Sequence, residues 1–239
     1  MSSRAARFIA PTAIVLTLAL AVAGCNTISG RETTGSIAAP SAPQSDGDWR
    51  ASLDVWGKRY RENPGDASAA IAYARALRAT EQYSQAAAVL EQASMRNPHS
   101  MPLLGAYGRA LADTGQYAQA LDALSRAHTP DNPDWRILNA QGAVLDQMGR
   151  HAEAQRHYEA ALKIAPGEPS VLSNLGLSYA LTKHLSQAET TLRQAAANPA
   201  AGAKVRQNLA LVVGLEGRFD EAERIARADL PQAEADANA

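Results

Sequence analysis

The chain repeats a pattern of small residues every 34 positions. Counted from Ala67, five blocks align without insertion or deletion, at 67–100, 101–134, 135–168, 169–202 and 203–236. Three places of the block hold small residues: the eighth (Ala74, Gly108, Gly142, Gly176, Ala210), the twentieth (Ala86, Ala120, Ala154, Ala188, Ala222) and the twenty-seventh (Ala93, Ala127, Ala161, Ala195). A column of small side chains is typical of a point where two elements approach closely. The period therefore predicts a repeat protein in which each unit packs on its neighbours.

Large apolar residues recur between these columns at helical spacing. In the second block they are Leu104, Tyr107, Leu111, Tyr117 and Leu124. Spacings of three, four and seven place such residues on one stripe of a helix. Gly115, Gly149 and Gly217 recur between the two halves of a block and indicate a turn. Each block is thus predicted to form two antiparallel helices; the alternative interpretation is a set of generic alanine-rich helices.

Together with Pro98 and Pro166, which close two blocks, these columns resemble the tetratricopeptide repeat family. The chain departs from the family pattern at the fourth place, where Ala70 or a leucine stands instead of tryptophan. The resemblance implies an all-α fold, a right-handed superhelical solenoid of tetratricopeptide helix pairs. It also implies a protein that binds partners and performs no chemistry.

The composition agrees with helices. Hydrophobic residues make up 46% of the chain and aromatic residues only 5%, and no strand-like alternation competes with the helical pattern. The formal net charge of −1 gives no support for nucleic-acid binding.

The N-terminus is typical of an exported protein. Arg4 and Arg7 precede an apolar run from Phe8 to Ala23, so residues 1–24 are predicted to be a signal peptide; the alternative is an uncleaved transmembrane anchor. The run ends in Val-Ala-Gly-Cys, which resembles a bacterial lipobox, and Cys25 is the single cysteine of the chain. We therefore expect Cys25 to carry a lipid that attaches the protein to a membrane. By resemblance to the usual sorting rule, Asn26 implies the outer membrane of a Gram-negative bacterium, facing the periplasm.

The segments around the repeats are predicted as follows. Residues 25–48 contain the acylated cysteine and a disordered spacer rich in Ser, Thr, Gly, Ala and Pro. Residues 49–66 are expected to form an N-terminal capping helix, whose stripe of Trp49, Leu53, Trp56 and Tyr60 seals the array or, alternatively, offers an aromatic patch to a partner. Arg206 and Asp229 interrupt the pattern in the fifth repeat, which is predicted to act as the C-terminal cap. Residues 231–239 are expected to be a frayed tail.

Motifs of enzyme chemistry do not occur in the sequence. The five histidines lack HExxH spacing, and no GxSxG, GxGxxG or phosphate-loop motif is found. We expect no catalytic residue, no metal, no cofactor and no small-molecule substrate.

By family resemblance, the partner-binding surface is lined by the second, fifth, sixth, ninth, twelfth and thirteenth places of the first helices, and we call this surface the groove. The first three blocks place there Arg75, Arg78, Arg109, Asp113, Arg136, Asn139 and Asp146, and the last two place there Asn174, Leu177, Leu181, Gln207, Asn208, Leu211 and Leu215. We hypothesise that the groove binds a protein segment, with acidic groups against the arginines and an apolar stretch against the leucines. In the alternative, the leucines pack between units and the arginines only aid solubility.

A narrower resemblance is carried by DNPDWRILNAQGAVLDQMGRHAEAQRHYEAAL, PSVLSNLGLSYAL and VRQNLALVVGLEGRFDEAE. These stretches are similar to the TadD tetratricopeptide lipoproteins of the tight-adherence (Flp) pilus assembly system. The resemblance implies a pilotin-like accessory factor at the outer membrane, with a secretin or another pilus-assembly component as partner. The alternative function is an adaptor lipoprotein that docks a periplasmic protease or a cell-wall enzyme.

Overall fold

The computed structural model describes residues 46–228, and all regular secondary structure of that part is helical. Its eleven helices are α1 (Asp46–Glu62), α2 (Ala67–Ala79), α3 (Tyr83–Arg96), α4 (Met101–Asp113), α5 (Tyr117–Ser125), α6 (Trp135–Gln147), α7 (His151–Ile164), α8 (Pro169–Leu181), α9 (Leu185–Ala196), α10 (Ala203–Leu215) and α11 (Phe219–Arg227). The predicted all-α solenoid of helix pairs is confirmed.

The helix boundaries follow the 34-residue period. In every block the first helix covers places one to thirteen, and the second helix begins at place seventeen. Asp66 and Asp134 start α2 and α6 by accepting hydrogen bonds from exposed backbone N–H groups, Ser68 N at 2.8 Å and Arg136 N at 2.8 Å. Such N-caps satisfy donors that the helix itself leaves unpaired. An aspartate thus marks the start of these two first helices, whereas Ser100 and Gly202, which precede α4 and α10, make no such side-chain bond.

The turn between the helices of a pair depends on the fifteenth place. Gly115, Gly149 and Gly217 all have a positive φ there, between 74° and 84°, which confirms the predicted role of these glycines. Glu81 and Lys183 occupy the same place in the first and fourth repeats with φ of 62° and 65°. A side chain makes this conformation less favourable, so these two turns are strained relative to the glycine turns.

The small columns mark close contacts between the two helices of a pair. The alanines of the twentieth place in the first four repeats are fully buried. At the eighth place, a methyl group on Gly108 would lie 2.6 Å from Leu124 Cγ, and one on Gly176 would lie 2.6 Å from Leu192 Cγ. Real carbon atoms do not approach so closely, so only glycine permits this packing. The prediction that small residues occur where two helices nearly touch is therefore confirmed.

The second helix of the second repeat is short. Helix α5 ends at Ser125, whereas α3 and α7 each extend over 14 residues. Pro130 and Pro133 follow, and proline in a helix interior removes a hydrogen bond and clashes with the preceding turn. The segment instead forms a tight turn in which Asn132 N donates to Thr129 O at 3.1 Å.

Helix α1 lies against the first repeat. The side chain of Tyr60 is buried, donates a hydrogen bond to Gln92 Oε1 at 2.7 Å and stacks on Tyr73 at a centroid distance of 5.9 Å. Leu53 packs on the same core, whereas Trp49 and Trp56 are half-buried. Leu53 and Tyr60 thus seal this end of the core, and the tryptophans keep part of their surface in water.

Helix α1 begins at Asp46, so the last three residues of the predicted spacer, 46–48, are helical. An acidic residue such as Asp48 in the first turn interacts favourably with the helix dipole. The predicted start at Trp49 was based on composition and did not take this interaction into account. The predicted signal peptide, Cys25, the rest of the spacer, Asp229 and the tail 231–239 lie outside the described residues.

Charged side chains join the last two repeats. Arg193 and Arg218 both bind Glu189 and Glu221, and each of these four ion-pair contacts is between 2.5 and 2.7 Å long. Helix α11 contributes no fully buried residue. Polar contacts therefore hold this helix where apolar burial is incomplete.

Candidate partner-binding groove

The first helices of successive repeats form a continuous surface. Helix α2 contacts α4, α4 contacts α6, α6 contacts α8, and α8 contacts α10. A cavity of about 740 Å³ is lined by residues of all five first helices and of α5. A second cavity of about 410 Å³ adjoins it and shares Arg78, Arg109 and Arg136 with it. The predicted groove residues at one end of the array thus line real concavities.

Four arginines crowd the end of the groove that is nearest α1. Arg75, Arg78, Arg109 and Arg136 all line the smaller cavity, over a floor of apolar residues that includes Ile71 and Ala106. Burial, reinforced by the positive charges of Arg78 and Arg75 and opposed by the carboxylates of Asp134 and Asp113, lowers the pKa of Arg109 below its ordinary value. This direction reflects the cost of placing like charges together away from water.

The four arginines differ in what they already bind. Arg78 forms a two-pronged ion pair with Asp113, whose second hydrogen bond runs from Nη2 to Oδ1 at 3.2 Å. Arg136 lies over the ring of Trp135, 4.5 Å from its centroid, and reaches Asp134 only at 4.0 Å. The guanidinium of Arg75 stands 6.0 Å from the ring centroid of Trp49.

Amide side chains link the repeats in the middle of the groove. Asn174 Nδ2 donates to Asn139 Oδ1 at 2.9 Å, and Asn208 Nδ2 donates to Ser173 Oγ at 2.8 Å. Each bond uses one donor of an amide that has two, so both asparagines keep hydrogen-bonding capacity. Gln207 is exposed on α10. These asparagines therefore hold neighbouring units together, and Asn139 and Asn174 also line the larger cavity.

Leucines occupy the groove places of the last two repeats and are exposed there. Leu181, Leu211 and Leu215 keep 59%, 55% and 57% of their surface in water, while Leu177 is half-buried. The alternative that these leucines pack between units is wrong for the three exposed ones. At the thirteenth place all five residues are exposed, and the series reads Ala79, Asp113, Gln147, Leu181, Leu215. Because nothing in the fold covers this place, its leucines have no role in the core of the described residues.

Asp146 does not face the groove, contrary to the sequence-based assignment. Its carboxylate accepts hydrogen bonds from Tyr158 Oη at 2.9 Å and Ser178 Oγ at 2.9 Å, and it lies 2.8 Å from His151 Nδ1. The side chain keeps only 9% of its surface exposed. Asp146 therefore joins α6, α7 and α8 as a structural acceptor, and the family place alone could not reveal this.

Sequence reasoning missed several residues that shape the larger cavity. Ala112, Ala140 and Ala143 line it where longer side chains would fill it, and Tyr117, Trp135 and Lys204 line it too. The ninth place of the repeat could have indicated this cavity. It holds arginine in the first two repeats and leucine in the last two, but alanine, Ala143, in the third. The short side chain leaves an opening between α4 and α6.

Residues 46–228 contain neither a candidate metal site nor a candidate membrane-spanning helix. No three His, Cys, Asp or Glu side chains are grouped so that they could hold a metal ion. None of the helices in this part combines the length and apolar character needed to cross a membrane.

The repeats identify the family. Residues 77–142 and 147–212, more than half of the chain, match the tetratricopeptide repeat family. The chain belongs to this family, whose repeats typically form interaction scaffolds for protein or peptide partners. No curated protein sequence matches the chain.

Solved structures share the fold at low sequence identity. PilW, a widely conserved type IV pilus biogenesis factor, has a TM-score of 0.67 at 17% identity, over 78% of this chain and 88% of PilW. The APC/C hetero-tetramer Cut9–Hcn1 gives 0.64 at 16% identity, over 75% of this chain and 36% of that chain. The human IFIT1 dimer with m7Gppp-AAAA gives 0.64 at 15% identity, over 76% of this chain and 46% of that chain. The chain thus spans less than half of the last two, and these likenesses show the fold alone.

Proposed function

We propose that the protein is a non-enzymatic scaffold, held at the outer membrane by a lipid on Cys25, that binds a protein segment in its groove during assembly of a Flp-type pilus. The anchor rests on the lipobox that ends at Cys25 and on Asn26 behind it. The pilus role rests on the resemblance of the repeats to TadD lipoproteins, and the likeness in fold to the pilus biogenesis factor PilW supports it.

The exposed leucines carry the binding part of this proposal. Leu181, Leu211 and Leu215 stand in water at groove places of α8 and α10, the helices that also bring Asn174 and Lys204 to the larger cavity. Burying a fully exposed leucine side chain contributes about 1.5–3 kcal/mol, and covering the exposed part of each of these leucines contributes roughly half of that. A partner that covers these three leucines gains a hydrophobic contribution, and the basic end of the groove adds selectivity for acidic groups.

Deletion of the gene in the source bacterium tests the pilus role. We expect loss of surface pili by electron microscopy and loss of detergent-resistant secretin multimers by immunoblot. Complementation with wild type should restore both, and Cys25→Ala should not, because the lipid then has no attachment site. Normal pili and multimers in the deletion strain would contradict the pilus proposal and favour the adaptor alternative.

Complementation with groove variants tests the binding surface. The double variant Leu211→Asp/Leu215→Asp should fold, since both side chains are more than half exposed, and should fail to restore pili. Met95→Asp is the matched control, because Met95 is an exposed apolar residue on the second helix α3 and lines neither groove cavity. Full activity of the double variant would exclude the leucines as the contact surface.

A further inference from the structure

The basic end of the groove holds more positive than negative charge. Four guanidinium groups, those of Arg75, Arg78, Arg109 and Arg136, share this end with the carboxylates of Asp113 and Asp134. Asp113 is bound by Arg78, and Asp134 also caps α6. Within residues 46–228, neither Arg75 nor Arg109 forms an ion pair. Asp134 and Asp113 act on Arg109 only from beyond ion-pair distance, and burial still lowers its pKa, so an external anion in direct contact would lower the free energy of this cluster.

Arg109 stands where the two cavities meet, since it lines both of them. The arginine cluster lines the smaller cavity. The larger cavity, which Arg78 and Arg136 also line, has an apolar part formed by Ala112, Ala140 and Ala143 with the rings of Tyr117 and Trp135. Polar side chains such as Asn139 and Gln147 line the rest of its wall. A volume of about 740 Å³ is in the range of pockets that take a bulky apolar group, and short alanine side chains leave room for one.

We propose that this part of the groove, defined by Arg75, Arg109, Ala112, Ala140, Ala143 and Trp135, is a recognition subsite for a partner segment in which acidic side chains flank a bulky apolar residue. The carboxylates bind Arg109 and Arg75, and the apolar side chain enters the alanine-lined cavity. The inference rests on the proposed scaffold function and specifies the partner's chemistry at one end of the groove.

The acidic groups belong to side chains within the segment. The subsite has groove surface on both sides, with Trp49 beside Arg75 at one end and the leucines of α8 and α10 at the other. A segment that also covers the leucines continues beyond the arginines. Arg78 and Arg136 are already engaged by Asp113 and Trp135, so they shape the subsite and contribute less to binding.

Fluorescence anisotropy with defined peptides tests the proposal on the full chain purified in detergent. The probe is a labelled peptide with blocked ends whose centre reads Glu-Glu-Phe-Glu-Glu. Two matched peptides replace either the glutamates by glutamine or the phenylalanine by glycine. We expect the probe to bind and each matched peptide to bind at least about tenfold more weakly, because each lacks one of the two contacts.

Protein variants locate the contact. Arg109→Gln should weaken the probe about tenfold or more, and Arg109→Lys should weaken it less because the charge remains. Arg156→Gln is the control, since Arg156 is exposed on α7 and lines neither cavity. Circular dichroism melting of each variant shows whether the fold is retained, and Arg75→Gln provides a second, more exposed site if Arg109→Gln unfolds.

Three results would overturn the subsite: no binding at millimolar probe, equal binding of the glutamine peptide, or wild-type affinity in both arginine variants. A further peptide has the probe sequence with a free carboxyl terminus, and binding of this peptide but not of the blocked probe would overturn the internal-segment assignment. If the subsite fails while Leu211→Asp/Leu215→Asp still abolishes pili, the scaffold function stands and only the acidic specificity is wrong.

Discussion

Gly142 lies directly beneath the ring of Tyr158: a methyl group at Gly142 would stand 2.5 Å from Tyr158 Cε1 and 2.8 Å from Cδ1 and Cζ. Tyr158 is fully buried and holds Asp146 through its hydroxyl group, so the ring cannot move away without breaking that bond. We predict that Gly142→Ala lowers the free energy of unfolding by about 1–3 kcal/mol, the usual cost of overpacking. Urea denaturation followed by circular dichroism measures this change.

Gly214→Ala is the matched control. Gly214 also lies inside a first helix, but a methyl group there would meet only Ala222 Cβ at 3.7 Å, an ordinary contact. Alanine favours a helix interior over glycine by up to about 1 kcal/mol, so this variant should be neutral or more stable. Equal effects of the two variants would show that the close contact at Gly142 has no special cost.

Lys183→Gly should stabilise the protein. Lys183 occupies the turn place where three other repeats have glycine, and its φ is 65°. A left-handed backbone conformation costs roughly 1–2 kcal/mol at a residue with a side chain. Replacing Lys183 by glycine should therefore raise the free energy of unfolding by about 1 kcal/mol. The midpoint of urea unfolding should rise, whereas Gly149→Lys should lower it. A fall in the midpoint for Lys183→Gly would contradict the turn assignment.

Asp146→Asn should weaken the joint between the third and fourth repeats. The carboxylate accepts from Tyr158 and Ser178 and faces His151, and an amide in its place turns one acceptor into a donor. We expect a loss of about 1–3 kcal/mol in the free energy of unfolding, the cost of a buried group left without its partner. Asp122→Asn, an exposed site paired with Arg126 at 3.5 Å, should change stability by less than about 0.5 kcal/mol.

His157 makes the fold sensitive to mild acid. Burial lowers the pKa of His157, and nearby His128, Arg156 and Arg150 lower it further, against the opposing effect of Glu153. Its Nδ1 atom is buried without a hydrogen-bond partner in the described residues. As pH falls through the ordinary histidine value, the unfolded chain takes up a proton that the folded chain resists, so stability declines. The loss is complete once the pH passes the lowered pKa of the folded state.

We therefore predict that the free energy of unfolding falls less between about pH 7 and pH 5 in His157→Gln than in wild type. Urea titrations at several pH values measure the slope. His99→Gln, which removes an exposed imidazole between α3 and α4, should keep the wild-type slope. An unchanged slope in His157→Gln would assign the acid sensitivity to other groups.

The fold was largely predictable because the same 34-residue pattern occurs five times in the sequence. Small residues at the eighth and twentieth places and glycine at the fifteenth gave the helix pair, its close contact and its turn. Asp146 was misassigned because its place faces the groove in family members, whereas here Tyr158, Ser178 and His151 draw its carboxylate into a joint between helices. A side-chain hydrogen bond between different repeats does not change the 34-residue pattern, so the pattern alone cannot predict it.

The groove was harder to predict than the fold. A leucine at a groove place looks the same in sequence whether it packs between units or stands in water, and only the exposure of Leu181, Leu211 and Leu215 separates these cases. The arginines were correctly placed on one surface, but their unequal pairing follows from side-chain geometry, with Arg78 held by Asp113 and Arg109 without such a partner. The cavity beside Arg109 exists because the alanine side chains that line it are short. Alanines of this kind are difficult to recognise in an alanine-rich sequence.

The central claim, that the groove holds a protein segment, is tested most directly by site-specific photo-crosslinking in living cells. Benzoylphenylalanine is introduced in place of Leu211 in the groove or in place of Met95 on α3, both exposed apolar positions. We predict a strong adduct from position 211 and little or none from position 95. Mass spectrometry should map the adduct from position 211 to one contiguous segment of a single protein. A piliated cell with no adduct from position 211, or with an equally strong adduct from position 95, would contradict it.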